Sequence, residues 1–337
     1  MKIIAEAPCR VDLAGGTLDI WPLYLYHPGA VTLNFAVDRW TRCVMETQET
    51  AEIRLRSGDL EAEETFSSFD QLRTAEKPRL PLVTYLLRFF QPRTGLLVHT
   101  DSEAPAGAGI SGSSALIIAV ASALNRLTGA RHNLEKLREI AQNVEAQIIR
   151  VPTGAQDYYP AMYGGVSAIE LGAGGIRRMP IPVDLDDFNE RIVLAYTGVP
   201  RNSGINNWEV TKAYIDGNPQ VRQNFEQITS IACAMRIALE KGDWKEVGRL
   251  LREEWAHRRK NAPGISTATI DELVTVTRRA GAMGAKVCGG GGGGCVFFLV
   301  DRGARERVAR AIERAGAEVL PVKVAPRGVT VRVARKV

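Results

Sequence analysis

Pro105-Ala106-Gly107-Ala108-Gly109-Ile110-Ser111-Gly112-Ser113-Ser114-Ala115 is the stretch from which the rest of the chain can be read. A strand-like run, GLLVHTD, precedes it. The small and apolar segment Ser113 to Leu127, stopped by Gly129, follows it as a helix. Gly107 to Gly112 spells GxGxxG, yet the surroundings are wrong for a dinucleotide fold. The loop DSEAPA separates strand from glycines. About 20 residues on, where that fold needs an acid at a strand end, stands a helix end, Gly129-Ala130-Arg131-His132. The Walker A pattern GxxxxGK[ST] is absent. What remains is a glycine- and serine-rich loop entering a helix, where unpaired N–H groups and the positive dipole end attract anions. The same residues also suit a tight turn with a serine N-cap.

Working outward, the 32 glycines of this 337-residue chain form two further clusters. Gly15-Gly16 end the alternating strand KIIAEAPCRVDLA. Gly289 to Gly294 run unbroken between Lys286-Val287-Cys288 and the apolar strand CVFFLV. Six successive glycines offer nothing to pack, so the run reads as a bare surface against which something else lies. Strands are expected at AVTLNFAVDRWTRCVM, AEIRLRS, GGVSAIEL, RIVLAYTG, AEVLPVKV and GVTVRVA. Helices are expected at LPLVTYLLRFF, from Asn133 over LEKLREIAQNVEAQII, and at Asn218 to Glu240, Trp244 to Arg259, Thr269 to Ala280 and Arg305 to Ala315. Strands and helices mix without regular alternation, which is α+β. The pattern becomes irregular at PIPVDLDDFNE, which places a domain boundary there.

Composition removes whole classes. With 45% hydrophobic and 24% charged residues, disorder, coiled coil and collagen are out. Lys plus Arg exceed Asp plus Glu by 43 − 38 = 5, and the basic residues are scattered. That surplus suits an anionic small ligand and not a nucleic-acid footprint. The 5 cysteines show no CxxC pairing, so neither a disulfide framework nor a zinc ribbon is expected. The N-terminus meets Glu6 and Pro8 too early for a signal peptide, and no apolar stretch nears a membrane span. A cytoplasmic protein is the expectation.

Three motifs in order resemble the GHMP kinase superfamily. Ala7-Pro8-Cys9-Arg10-Val11-Asp12-Leu13-Ala14-Gly15-Gly16 is similar to its first motif. The stretch from Pro105 to Ala115 is similar to its phosphate-binding second motif, and Lys286 through the six glycines to its third. Gly15-Gly16-Thr17-Leu18-Asp19, Gly154-Ala155-Gln156-Asp157, Thr197-Gly198-Val199-Pro200-Arg201-Asn202-Ser203 and Ala262-Pro263-Gly264-Ile265-Ser266 resemble the sugar-1-kinase branch that includes the D-glycero-D-manno-heptose 7-phosphate kinases. Ser111-Gly112, Ala155 and Leu18 depart from that branch's usual residues.

The resemblance implies a two-domain α+β fold, with a ribosomal-protein-S5-domain-2-like half at 1–185 and a ferredoxin-like half at 186–337. It implies ATP and Mg²⁺ and a small sugar or sugar-phosphate substrate, without nucleic acid or membrane. By it, Asp157 takes the proton from the sugar hydroxyl. Arg10 holds Asp157 ionised and stabilises the moving phosphoryl group. Asp19 accepts hydrogen bonds from the sugar, beside Gly16 and Thr17. Pro105, Gly107, Ala108, Gly109, Ser111, Gly112, Ser113 and Ser114 hold the nucleotide, and Glu145 with Ser113 or Ser114 holds the metal. Gln156, Thr197, Arg201, Ser203, Gly291 and Gly292 are further substrate contacts. Arg201 and the run His257-Arg258-Arg259-Lys260 are candidate partners for a substrate phosphate, although such a run on a helix also reads as a solvated face. Two rivals stand beside the heptose phosphate reading: a galactokinase-like enzyme of an unphosphorylated sugar, and a sugar sensor that has lost catalysis. The sequence leaves the oligomeric state open.

Overall fold

A computed structural model describes residues 1–200 and 203–334, with the side chains of 203–206 outside the description. The N-terminal half is built on strands β1 (Lys2–Ala14), β2 (Val31–Gln48), β3 (Ile53–Ser57), β4 (Ala62–Phe66), β5 (Gly95–Ser102), β6 (Val166–Gly172) and β7 (Gly175–Pro180). Its helices are α1 (Phe69–Thr74), α2 (Pro81–Phe90), α3 (Gly112–Thr128), α4 (Leu134–Ile149) and α5 (Tyr158–Tyr163). The later half carries α6 (Leu185–Asn189), β8 (Ile192–Tyr196), α7 (Ser203–Ile215), α8 (Pro219–Glu240), α9 (Trp244–Arg258) and α10 (Ala268–Ala280). It ends in β9 (Ala282–Val287), β10 (Cys295–Val300), α11 (Arg305–Arg314), β11 (Glu318–Leu320) and β12 (Thr330–Ala334).

Two sheets result. The larger runs β12-β1-β2-β5-β3-β4, with β6 and then β7 hung on the first half of β2. The smaller runs β11-β8-β10-β9 and is antiparallel throughout. β2 serves two neighbours: Val31–Phe35 pair with β6 and Thr41–Gln48 with β5. The chain crosses from one sheet to the other between Pro180 and Ile192, and β12 crosses back to pair with β1.

Helix α3 explains where the site sits. Its run of Ala, Ile, Val and Leu is apolar almost all round, and such a helix must be buried. It packs on β1 and β2 with residues from Ala115 to Leu124 out of water. Its N-terminal residues Gly112, Ser113 and Ser114 line the same cavity as Arg10 and Asp12 of β1 and Gly289 and Gly290 after β9.

The helices expected from Asn133 and at Asn218 and Trp244 form, each behind a side-chain N-cap. Asn133 accepts from Lys136 N at 2.9 Å and Asn218 from Val221 N at 3.1 Å. Ser111 is different. It occupies the N-cap position of α3 in a left-handed conformation (φ 59°) and makes no side-chain cap bond. The hydroxyl that an ordinary N-cap would spend on the helix is left over.

The glycine run corrects one expectation: it is packed, not bare. Gly291, Gly293 and Gly294 are buried. Gly294 N donates to Val199 O at 2.8 Å, Gly292 N to Ile265 O at 3.0 Å, and Cys295 N to Ala108 O at 2.7 Å. A Cβ at Gly294 would stand 2.6 Å from Ala108 O, on a backbone with φ +74°. The glycines are there because three backbone segments close directly onto them.

Candidate functional site

A cavity of about 620 Å³ opens where β1, the N-terminus of α3 and the end of β9 meet. Every second-motif residue expected to hold nucleotide lines it: Pro105, Gly107, Ala108, Gly109, Ser111, Gly112, Ser113 and Ser114. So do Arg10, Gly16, Thr17, Asp19, Glu145, Gln156 and Asp157.

Arg10 is the hub of one wall. It is buried on β1, where Nη2 lies 2.8 Å from Asp157 Oδ1 and Nε donates to the same oxygen at 2.9 Å. Its Nη1 donates to Gly109 O at 2.8 Å, and its backbone N to Ile110 O at 3.0 Å. One side chain thus ties the carboxylate just before α5 to the phosphate loop. Burial works against the Arg10 charge, but Asp157 and Asp12 outweigh it and hold the guanidinium protonated.

Asp19 sits deeper, and Oδ2 accepts from Gln156 N at 2.8 Å. Burial, reinforced by the nearby Asp157, pushes its carboxyl up to about 7. Gly154 packs so closely that a Cβ there would stand 2.0 Å from Asp19 Oδ2. Asn34 Nδ2 donates to Gln156 O at 3.2 Å, fixing the strap that carries Gln156 and Asp157.

Glu145 lines the cavity as well. Its carboxylate accepts from Ser113 Oγ at 3.1 Å, from Ser114 Oγ at 3.4 Å and from Thr153 Oγ1 at 3.2 Å, and also from Tyr158 OH. Burial raises its pKa, with Asp157 adding to the rise and the hydroxyl donors opposing it. The donor set is all oxygen, as Mg²⁺ requires. Among the described residues no group of three or more His, Cys, Asp or Glu side chains gathers into a metal cage. The buried Ser111 Oγ has no protein partner. It stands beside the first-turn N–H groups of α3, which have no intrahelical acceptor. Orphaned donors and a hard-oxygen pair fit a nucleotide phosphate with its metal.

Other expected contacts fall elsewhere. Gly289 and Gly290 line the cavity, whereas Gly291 and Gly292 sit behind it against Ile265. Thr197 donates through Oγ1 to Gly294 O at 2.9 Å and braces the glycine run. Arg201 lies outside the described residues, as does the side chain of Ser203. In the basic run, His257, Arg259 and Lys260 stay off the cavity wall. Arg258 does not: it is buried, lines the cavity and donates through Nη2 to Gly16 O at 3.0 Å.

Three charged residues were not among the expected set. Asp12 lines the cavity and takes Lys286 Nζ and Gly289 N (3.0 Å) on its two oxygens. Burial alone would raise its pKa, but Lys286, Arg10 and Arg258 together hold it well below the usual carboxylate range. Lys286 is fully buried and also faces Glu254, at 3.6 Å. Charges flanked on both sides by apolar or small strand residues, Asp12 between Val11 and Leu13 and Lys286 between Ala285 and Val287, are the signal that could have found them.

Two family descriptions match the chain: GHMP kinases N terminal domain over residues 80–165, and GHMP kinases C terminal over residues 235–318. The mevalonate kinase of Thermococcus sibiricus is 26% identical, with 98% of each chain covered. The D-glycero-alpha-D-manno-heptose 7-phosphate kinase of Campylobacter jejuni is 24% identical, with 93% of this chain and 94% of that protein covered. The crystal structure of a D-glycero-D-manno-heptose 1-phosphate kinase from Bacteroides thetaiotaomicron shares the fold, at a TM-score of 0.80 and 22% identity over 99% of this chain and 100% of that one.

Proposed function

The chain belongs to the GHMP kinases, and from that footing we propose that it transfers the γ-phosphoryl group of ATP to the anomeric hydroxyl of D-glycero-D-manno-heptose 7-phosphate. The observation that carries the reading is the Arg10–Asp157 pair, 2.8 Å apart, on the same cavity as the phosphate loop and the Ser113–Glu145 couple.

Phosphoryl transfer asks a protein mainly for positioning and charge stabilisation. The backbone N–H groups at the start of α3 and Ser111 Oγ hold the donor's phosphates. Glu145, Ser113 and Ser114 hold Mg²⁺, which when bound neutralises phosphate charge. Asp157 accepts the proton of the attacking hydroxyl. Arg10, bound to that carboxylate and to Gly109 O, fixes its aim relative to the loop. Asp19 and Gln156 orient the sugar on the far side of Asp157. The relative from Campylobacter jejuni supports the heptose 7-phosphate choice.

A galactokinase-like reaction on an unphosphorylated sugar is the second reading. It is favoured by one fact: both cavity-lining arginines among the described residues, Arg10 and Arg258, are already paired with carboxylates. ADP release with ATP and Mg²⁺ against heptose 7-phosphate, free heptose, galactose and mevalonate separates the readings. Heptose 7-phosphate is expected to turn over best. Preference for galactose replaces the first reading with the second. Nucleotide binding with no turnover on any acceptor points to a sensor.

A further inference from the structure

The charges around the cavity form one alternating line. Asp157 pairs with Arg10, whose Nη1 is 3.6 Å from Asp12 Oδ1. Asp12 pairs with Lys286, which stands 3.6 Å from Glu254 Oε1. Glu254 in turn takes Arg258, with Nε at 2.7 Å. Arg258 ends the line on the acceptor corner, donating to Gly16 O at 3.0 Å and to Thr17 Oγ1 at 3.4 Å. Three carboxylates alternate with three cations, drawn from β1, β9, α9 and the strap before α5.

Lys286 stands at the middle. It lies on β9 opposite Phe297, has 0% exposure, and has two carboxylates within reach. Buried ion pairs are weak evidence for stability, because desolvation offsets attraction. Position makes this one informative. Arg10 has two carboxylates to choose between, Asp157, the proposed base, and Asp12 on its own strand. With an ammonium on Asp12, the guanidinium can spend Nε and Nη2 on Asp157. Arg258 has the parallel problem. A Glu254 carboxylate without its second cation would draw the guanidinium off the Gly16 and Thr17 loop. Thr17 adopts φ 71°, a left-handed conformation that a β-branched residue keeps only when held.

We infer that Lys286 is a positioning residue with two arms: through Asp12 it commits Arg10 to the catalytic carboxylate, and through Glu254 it sets Arg258 against the acceptor loop. The inference rests on the kinase reading above and adds how that site is held.

The arms separate kinetically, because one ends on the reacting groups and the other on the acceptor loop. Lys286→Met, Asp12→Asn and Glu254→Gln are assayed with ATP, Mg²⁺ and heptose 7-phosphate, or galactose should that be the better acceptor. Lys286→Met is expected to lower kcat about 100-fold and raise the acceptor KM about 10-fold, with the ATP KM within two-fold. Glu254→Gln is expected to raise the acceptor KM about 10-fold with kcat within three-fold, since only the second arm is cut. Asp12→Asn is expected to move kcat more than the acceptor KM. Lys286→Arg, keeping the charge, is expected to recover at least a tenth of wild-type kcat. A folded Lys286→Met with wild-type kcat overturns the inference. Should Lys286→Met not fold, the other two decide: equal effects on kcat and KM in both, tracking loss of melting temperature, would mean a merely structural network. A wild-type chain silent on every acceptor defeats the kinase reading and this one with it. An active wild type beside an unaltered Lys286→Met defeats this one alone.

Discussion

Asp19→Asn is the most informative single change, because it sets stability against function at one buried carboxyl. Asp19 is 2% exposed and its carboxyl is pushed from 3.8 up to about 7, first by burial and then by Asp157. In the unfolded chain the group loses its proton near 3.8, whereas in the folded protein it keeps it until about 7. Across that window the folded state binds more protons, so stability falls as pH rises and stays low above pH 7. The contribution is complete below about pH 4 and is lost as pH climbs through 7. Roughly three pH units at 1.36 kcal/mol each give a ceiling of about 4 kcal/mol. Asparagine has the same shape, can still accept from Gln156 N through Oδ1, and carries no charge to desolvate.

Denaturant unfolding of wild type and Asp19→Asn at pH 4.5, 6 and 8 reads the difference directly. The variant should gain on wild type as pH rises, by a few kcal/mol over the whole range, and should be the more stable protein at pH 8. Taking the difference cancels Glu145, whose raised pKa acts with the same sign. Turnover should move the other way, since a carboxylate that accepts sugar hydroxyls is replaced by an amide that offers a donor. A stability difference flat between pH 4.5 and 8, or an asparagine variant less stable than wild type at pH 8, would refute the buried-carboxyl argument.

Three further outcomes are expected. Asp157→Asn should cut kcat by roughly 10²- to 10⁴-fold while isothermal titration shows ATP binding within a few-fold of wild type; near-normal turnover removes Asp157 as the base. Glu145→Gln should raise the Mg²⁺ concentration for half-maximal rate by about ten-fold or more with little change in folding, because a buried carboxylate is replaced by a neutral isostere. Gly294→Ala places a methyl 2.6 Å from Ala108 O on a left-handed backbone, so the ATP KM should rise by ten-fold or more from a strain of about 1–2 kcal/mol plus the displaced loop; an unchanged ATP KM would show that the glycine run does not set the phosphate loop.

How much of this could be read in the chain depends on whether a signal was local. The α3 entry and the Asn133 cap were legible because their chemistry is written within a few residues; Arg10, Asp157, Glu145 and Ser113 were reached through the resemblance to the family's motifs, and all four line the cavity. Short edge strands were not. AEETF in β4 has two adjacent acids and one large apolar residue, and β7 (GIRRMP) is short and basic, so neither carries the apolar period that marks a strand. β9 (AMGAKV) was hidden by its small residues, Ala282, Gly284 and Ala285. The packing of the glycine run was illegible for another reason: its neighbours, Val199, Ile265 and Ala108, come from distant segments. Arg258 shows the limit most sharply. His257 to Lys260 looks like one basic patch, but the helix turns its residues apart. Arg259 pairs with Asp271 at the surface, while Arg258 turns inward to Glu254, one helical turn earlier. The i,i+4 acid was present in the sequence; its burial was not.

The overall surplus of five positive charges is not where the substrate would meet it. Among the described residues lining the cavity, Arg10 and Arg258 face Asp12, Asp19, Asp59, Glu145 and Asp157. Both arginines are engaged, so the donor's phosphates must rely on backbone N–H groups, on Ser111 and on a metal. A phosphate on the acceptor has none of these to spare. It needs its own cation, and the chain points to one segment. Arg201 is the candidate in the sequence, between Val199, which accepts from Gly294 N, and Asn207, which lines the cavity. A charge-assisted bond to phosphate is worth about 1.5–3 kcal/mol, or roughly 10- to 150-fold in affinity. Arg201→Ala should therefore raise KM for heptose 7-phosphate by that factor and leave KM for free heptose within two-fold. Wild type itself should prefer the phosphorylated sugar less as salt is raised from 50 to 500 mM, because added salt screens the attraction between charges. Equal losses for both sugars would place Arg201 on the ring hydroxyls instead. No loss for either would leave the acceptor phosphate without a partner in this segment, and the unphosphorylated-sugar reading would take its place.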